Sequence, residues 1–211
     1  MKQPRLSADL PLGDLNRAVS DAIEQGETVR GMRFEDDCLD ETAASLVDFE
    51  GCAFRRVTFT PSSIERIHFM DCVFEGCELS GFSFREGTLR RVRLVDCRGA
   101  GVTFNGMRLR DAAFERCVLD YAAFVAAQFQ DARFTLCRMP RTLFHGCTQK
   151  DLSLEDCDLT SAEVVETRLS GVDLSSCRLD GLRASPAALE GVRISIGQAP
   201  AVLGVFGVEL I

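Results

Sequence analysis

A large apolar side chain recurs at every fifth residue of this sequence. From Phe34 to Leu179, steps of five meet 30 positions, and 27 of them are Phe, Leu, Ile, Met or Val. The exceptions are Ala44, Gly99 and Gln149, and the phase never shifts along the run. A period of five matches neither the 3.6 residues of an α-helix nor the 2.0 of a β-strand. Ordinary helices and strands therefore do not explain the chain.

A second column of smaller residues precedes the first by two positions. It holds Val57, Val92 and Ala112, for example, and nine of the ten cysteines, with Cys38 as the exception. The other three positions of each five-residue unit are mostly polar, charged or Gly. Each unit therefore directs one large and one small side chain inward and three outward. Gln149 stands where Phe or Leu belongs, so it must find a partner, leave the core or mark a distorted turn.

The spacing of the cysteines predicts how many units close one turn. Six of them stand 20 residues apart in an unbroken series: Cys77, Cys97, Cys117, Cys137, Cys157 and Cys177. Four five-residue units make such a turn, so the coil has four sides. We expect successive turns to stack as parallel strands about 4.8 Å apart, with right-handed crossovers. The predicted fold class is all-β.

Several units resemble those of the pentapeptide repeat family. They include residues 111–114 (DAAF), 131–134 (DARF), 157–159 (CDL) and 172–174 (VDL), and the resemblance covers roughly residues 29–194. It implies a right-handed quadrilateral parallel β-helix, a pentapeptide repeat solenoid with short helical caps at the N- and C-termini. We expect an N-terminal capping segment with a short helix at 1–28, the β-helix at 29–194, and a C-terminal cap and dimerisation segment at 195–211.

Both ends of such a coil need a cover because they expose backbone groups and apolar side chains. Residues 14–25 predict a short helix, with Leu15, Val19, Ala22 and Ile23 at helical spacing. Ser195, followed three residues later by Gln198, fits the start of a second helical segment.

The apolar residues beyond Gln198 fit either a simple cap or a homodimer contact. Dimerisation through the C-terminus is what the resistance-related members of the family imply. The expected interface residues are Val202, Leu203, Val205, Phe206, Val208 and Leu210.

The sequence carries no motif for catalysis or metal binding. By phase His145 points outward and Cys147 inward, so they do not chelate one ion, and His68 lies on another face. Zinc spacings, Cys-x-x-Cys pairs and phosphate-binding Gly loops do not occur. The cysteine column fits either a thiol ladder for metal or redox work or a row of small buried hydrophobes, and a reducing compartment favours the second. We expect no enzymatic activity, no cofactor and no metal.

The same sequence predicts a cytoplasmic protein. Residues 1–15 lack a continuous apolar region, which argues against a signal peptide. No apolar run approaches the 18 or so residues of a membrane span. The net charge of −8 argues against direct binding to nucleic acid or to an anionic membrane.

Charge is distributed in bands along the predicted axis. Residues 31–84 hold 11 acids and 4 bases, residues 85–110 hold 7 Arg and 2 acids, and residues 111–180 hold 12 acids and 7 bases. We call the middle band the Arg belt; its members are Arg85, Arg90, Arg91, Arg93, Arg98, Arg108 and Arg110.

The 20-residue turn places acidic residues in corner columns. One column holds Asp71, Asp111, Asp131 and Asp151, and a second holds Asp36, Asp96 and Asp156. Stacked carboxylates repel one another. They fit either a solvated face neutralised by Arg neighbours such as Arg108, Arg110 and Arg133, or a negatively charged rod that imitates duplex DNA.

The Phe- and Cys-rich style of residues 69–74 (FMDCVF) resembles the branch of the family that includes the Qnr and mycobacterial fluoroquinolone-resistance proteins. That resemblance implies a dimeric rod that binds DNA gyrase and topoisomerase IV in place of, or alongside, DNA. The unbroken phase excludes the large loops of Qnr proteins, and the Arg belt interrupts the acidic surface, so the mimicry is partial. We expect a topoisomerase partner and altered sensitivity to gyrase-targeting antibiotics. The alternative is a passive interaction scaffold for another cytosolic partner, contacted through the Arg belt.

Overall fold

The computed structural model describes residues 1–39, 47–60 and 63–208. The chain forms a β-solenoid of about seven turns with parallel sheets and a short helix at each end. This confirms the predicted all-β coil with helical caps. Ala44, one of the interruptions of the five-residue column, lies outside the described residues.

Short strands and turns alternate along the described part of the chain. The strands are β1 (Val29–Arg30), β2 (Arg33–Glu35), β3 (Cys38–Leu39), β4 (Asp48–Glu50), β5 (Ala53–Arg55), β6 (Thr58–Phe59), β7 (Ser63–Glu65), β8 (His68–Glu75), β9 (Ser83–Arg85), β10 (Thr88–Val95), β11 (Thr103–Asn105), β12 (Arg108–Glu115), β13 (Ala123–Val125), β14 (Gln128–Gln130), β15 (Arg133–Thr135), β16 (Leu143–His145), β17 (Thr148–Lys150), β18 (Ser153–Glu155), β19 (Glu163–Val165) and β20 (Arg183–Ala184). The helices are α1 (Leu15–Gln25) and α2 (Ala199–Val205), and 3₁₀ turns form at Pro186–Ala188 and Ile196–Gln198.

The strands pair in parallel with partners 20 residues away, one turn up or down the coil. One sheet runs β1-β4-β8-β10-β12-β14-β17, and a second runs β20-β19-β16-β13-β11-β9-β7. In the first sheet Leu89 lies between Phe69 and Leu109, and in the second Phe104 lies between Phe84 and Phe124. The register is therefore the one that the spacing of the cysteines predicts.

Corner residues with a left-handed backbone occur every five positions and make the coil four-sided. Glu86, Arg91, Asp96 and Gly101 follow in one turn with φ of 52°, 52°, 53° and 68°. This conformation costs energy for residues with a Cβ. Hydrogen bonds between turns offset the cost, as where the Asp96 N–H donates to the Glu115 carbonyl at 3.0 Å.

The two inward columns fill the interior. Phe104, Phe114, Phe124 and Phe134 are fully buried. Rings that stand 20 residues apart stack, with centroids 4.5 Å apart for Phe114 and Phe134 and 4.9 Å for Phe104 and Phe124. Each such pair contributes about 0.5–1.5 kcal/mol beyond the burial of apolar area.

The cysteines of the small column are buried thiols, as predicted, and Cys38 is partly exposed. Each lies near backbone carbonyls of its own and the preceding turn; the Cys117 Sγ is 3.5 Å from the Glu115 oxygen and 3.6 Å from the Leu94 oxygen. Burial raises the pKa of the Cys72 and Cys147 thiols. The column thus uses Cys as a small hydrophobe with a weak hydrogen-bond donor.

The helix α1 covers the first turn. Its N-cap Asp14 accepts a hydrogen bond from the Arg17 N–H at 2.9 Å, and it ends at Gly26, whose φ is 65°. Leu15, Val19 and Ala22 are buried as predicted, but Ile23 is exposed. Ile23 stands 100° around the helix from Ala22, which takes it off the buried face.

The C-terminal cap is tied to the last turns by Gln198. Its Oε1 accepts from the Ser195 N–H at 2.7 Å, and its Nε2 donates to the Leu174 carbonyl at 2.7 Å. Val202 and Val205 pack against the end of the core. No helix in the ranges given above is long and apolar enough to cross a membrane.

Gln149 lies in β17, which ends the series of strands given above for the first sheet. Its side chain is only partly buried, and its Nε2 donates to the carbonyl of Ser170 at 2.9 Å. The side chain thus bonds to a backbone oxygen of the following turn, where the sheet does not continue. Gln149 both finds a partner and marks the end of regular pairing on this side.

Candidate interaction surfaces

The first acidic column follows one corner of the coil and is interrupted by Arg91. Arg91 donates from Nε and Nη2 to the two carboxylate oxygens of Asp71, the first at 2.6 Å. The two side chains are only 12% and 10% exposed. Burial acts to raise the pKa of Asp71, but the hydrogen bonds from Arg91 and from the Arg5 backbone outweigh it and hold that pKa below its ordinary value.

An N-terminal strap, residues 1–13, covers the same corner. The Arg5 N–H donates to Asp71 at 3.0 Å, and the Lys2 N–H donates to Asp111. Both aspartates are buried. They lie two turns apart, about 10 Å by the strand spacing, which three extended residues span. These two acids are therefore occupied by the chain's own backbone.

The second acidic column is also largely paired. Arg56 donates from Nε to Asp36 at 2.6 Å, and Arg116 donates from Nε to Asp96 at 2.7 Å. Each pair joins residues 20 apart, and the Arg hydrogen bond lowers the pKa of each Asp. The neutralising arginines thus come from the same corner column, one turn away, and not from Arg108 or Arg110. The sequence signal for these partners is the 20-residue spacing between each Arg and its Asp.

Three of the predicted acids have carboxylates with neither an ion pair nor a hydrogen bond among the described residues. Asp131 and Asp151 stand on consecutive turns of the first column, and Asp156 is in the second. Asp151 and Asp156 are exposed, and Asp131 is partly so. The unpaired acids of these two columns therefore lie in the C-terminal half of the coil.

The Arg belt divides into paired and unpaired members. Arg85 lies 3.7 Å from Glu65, Arg91 binds Asp71, and Arg93 donates to Glu115 at 2.6 Å. In contrast, four members make no ion pair in the described part of the chain: Arg90, Arg98, Arg108 and Arg110. Arg90, Arg108 and Arg110 line one groove with Lys150.

We call this feature the cationic groove. It lies on the face of the first sheet, has a volume of about 610 Å³, and also contains Gln128, Gln130 and Gln149.

The apolar C-terminus is partly used as a cap. Val202, Leu203 and Val205 are partly buried, whereas Phe206 and Val208 are 52% and 45% exposed. Leu210 lies outside the described residues. Ile196, an apolar residue of the preceding 3₁₀ turn that the sequence did not mark as part of the interface, is 95% exposed. The exposed apolar residues at this end are thus Ile196, Phe206 and Val208.

The described residues contain no group of three His, Cys, Asp or Glu side chains able to hold a metal ion. His145 is half-exposed near the Glu166 carboxylate, and Cys147 is buried. The two side chains point to opposite sides of the wall, as the phase predicts.

Two family models match the sequence, and together they cover more than half of it. One, described as pentapeptide repeat region, matches residues 47–124, and the other, pentapeptide repeats (8 copies), matches residues 150–185. No curated protein sequence matches the chain.

Solved structures with a similar fold include a trypsin-treated QnrB1, a plasmid-mediated fluoroquinolone resistance protein. It is 17% identical over 95% of each chain, with a TM-score of 0.40. Another is HetL from Nostoc sp. strain PCC 7120, a pentapeptide repeat protein involved in heterocyst differentiation regulation. It is 15% identical over 83% of this chain and 92% of its own, with a TM-score of 0.33. At these identities and TM-scores the likeness carries no conclusion about function. With its repeat, its register and both family matches, the chain belongs to the pentapeptide repeat family, whose members are generally non-catalytic.

Proposed function

We propose that this chain is a non-catalytic binding rod that engages DNA gyrase or topoisomerase IV as a partial mimic of duplex DNA, and so modulates sensitivity to gyrase-targeting antibiotics. The observation that carries the proposal is the set of unpaired carboxylates of Asp131, Asp151 and Asp156. The partner class comes from the family resemblance of the sequence.

We place the contact on the C-terminal half because the other acids of the two columns are engaged. Asp36, Asp71 and Asp96 bind arginines, and Asp111 accepts from the Lys2 backbone. One carboxylate per turn gives a charge about every 4.8 Å, against one per about 1.7 Å in duplex DNA. The imitation is therefore sparse, and the binding should weaken steeply as salt screens it.

The triple variant Asp131→Asn, Asp151→Asn, Asp156→Asn is expected to lose the effect on gyrase. Asn tolerates the left-handed corner backbone, so the change removes charge and leaves the turn. In a supercoiling assay with and without a fluoroquinolone, we expect the wild type to act at micromolar concentration and the variant to need at least about tenfold more.

A matched control is Asp9→Asn, Glu24→Gln, Glu27→Gln, which removes the same charge from exposed positions of the N-terminal segment. An equal loss in the control would mean that only net charge matters. The proposal fails if the wild type neither inhibits nor protects gyrase, or if its effect does not depend on salt.

The alternative, a passive scaffold for another partner, is left with fewer candidate residues. Arg85, Arg91 and Arg93 of the Arg belt are engaged in ion pairs. Of the four others, Arg98 lies on another side of the coil, so a partner protein would contact Arg90, Arg108 and Arg110, which share one face. Loss of a captured partner on changing these three to Glu, with the gyrase effect unaltered, would favour this alternative.

We also propose that two rods associate through Ile196, Phe206 and Val208. The Phe206→Asp variant is expected to be monomeric at micromolar concentration in sedimentation velocity, because it places a charge in an apolar contact. Leu136→Asp is the control, since Leu136 is an exposed apolar residue at a corner of the coil, far in sequence from the C-terminal segment. A monomeric wild type, or equal dissociation of the two variants, would contradict this dimer.

A further inference from the structure

The cationic groove stacks like charges that no neighbour neutralises. Arg90 of β10 and Arg110 of β12 are direct partners in register, and Arg108 stands two residues before Arg110 on the same face. All three are exposed, and none takes part in an ion pair or a side-chain hydrogen bond within the described residues. Like charges placed directly opposite in a sheet are destabilising.

Other columns of the coil relieve this repulsion by alternating the sign of charge. Arg56 stands over Asp36, and Arg116 stands over Asp96. The column of Arg90 instead runs through Met70, Arg90, Arg110 and Gln130 on successive turns. The charges of the groove therefore lack a counter-ion from the protein, and an external anion would supply it.

The positive charge is concentrated at one end of the groove. Asp131 and Asp151 stand at the corner beside Lys150, and Glu86 is exposed at the opposite corner before Thr88. Asp111 is the acid nearest in sequence to the three arginines, but it is covered by the strap. The position best suited to bind an anion is thus between Arg90, Arg108 and Arg110.

The other end of the groove carries Lys150 together with uncharged side chains that form hydrogen bonds. Gln128, Gln130 and Gln149 line it, above a floor that includes Phe129. Their side-chain amides both donate and accept. The corner on one side carries Gly106, Ala126 and Gly146, so no long side chain stands over that edge. The volume of about 610 Å³ lies within the roughly 300–1,000 Å³ of small-molecule sites.

We propose that the cationic groove binds a nucleoside polyphosphate. Its adjacent phosphate groups bridge Arg90, Arg108 and Arg110, and its nucleoside lies toward Gln128 and Gln130. Guanidinium groups match phosphate oxygens in paired hydrogen bonds, and Arg90 and Arg110 stand only about 4.8 Å apart. An acidic peptide fits less well, because carboxylates on one side of a strand are about 7 Å apart and the peptide would run past Asp131 and Asp151.

Isothermal titration calorimetry of the full chain with ATP, inorganic triphosphate and poly-glutamate tests this site. We expect both phosphate compounds to bind and to raise the melting temperature. The variant Arg90→Gln, Arg108→Gln, Arg110→Gln should lose at least about tenfold in affinity for both. Gln128→Ala with Gln130→Ala should weaken ATP alone, which locates the nucleoside.

The matched control is Arg98→Gln, Arg138→Gln, Arg178→Gln, which removes the same charge from another side of the coil. It should stay within about twofold of the wild type. The unliganded groove variant should melt no lower than the wild type, since it removes repulsion.

Three results would overturn the site: no binding of either phosphate compound at millimolar concentration, an equal loss in the control, or tighter binding of poly-glutamate. Equal binding of triphosphate and ATP, unaffected by the Gln changes, would overturn the nucleoside part. The gyrase effect does not involve the groove, so the two proposals fail independently.

Discussion

Phe114→Ala is expected to lower the free energy of unfolding by about 3–5 kcal/mol. Phe114 is fully buried, stacks on Phe134 with centroids 4.5 Å apart, and meets the edge of Phe104 at 5.9 Å. Its removal leaves a cavity between turns whose spacing is fixed by backbone hydrogen bonds. The neighbouring side chains therefore cannot move in to fill the cavity. In a close-packed interior that does not relax, the van der Waals contacts of the removed ring are lost outright.

Urea unfolding followed by circular dichroism measures this loss. Leu136→Ala is the control, because Leu136 is an exposed corner residue, and its effect should stay within about 0.5 kcal/mol. Since each turn contacts only its neighbours, the Phe114→Ala curve is also expected to broaden as the two halves of the coil uncouple. A loss as small as that of the control would contradict the stacked register.

The five-residue period was sufficient to predict the coil because burial depends on it directly. A residue in the large column has one inward direction, and the 20-residue turn places Phe134 next to Phe114, as observed. The N-terminal helix α1 was equally predictable from the sequence, since Asp14 is a strong N-cap and Gly26 permits the left-handed ending. These features are local, or repeat locally.

The pairing of charged side chains on the surface was harder to predict, because it depends on which of them lie next to one another. The 20-residue spacing places Arg91 between Asp71 and Asp111, which predicts the ion pair. It also aligns Arg90 with Arg110, which predicts the cationic groove once each residue is assigned to one of the four faces. The strap does not follow. Residues 1–13 carry no period. The Lys2 and Arg5 N–H groups bind carboxylates on distant turns, and residues 11–13 pair with the backbone of Arg33.

The covered ion pair gives the second large expected effect. Asp71→Asn should lower the free energy of unfolding by about 3 kcal/mol, the lower end of the range for breaking a buried pair. Asn tolerates the left-handed corner, so the loss comes from leaving the Arg91 guanidinium buried without its carboxylate. Asp96→Asn, which breaks the exposed pair with Arg116 at another corner, should have a much smaller effect. Equal effects would show that the strap does not bury the first pair.

Lowering the pH should reduce the free energy of unfolding of the wild type for the same reason as Asp71→Asn, because it removes the charge of the Asp71 carboxylate. The pKa of Asp71 in the folded chain is held below its ordinary value, which is about 3.9 in an unfolded chain. The pair therefore contributes its full stability above about pH 4 and loses it as the pH falls through the folded pKa. Urea unfolding at a series of pH values should show a steeper decline below about pH 4 for the wild type than for Asp71→Asn. Parallel declines would mean that the carboxylate carries no folding energy, because a group with the same pKa in both states adds no pH dependence.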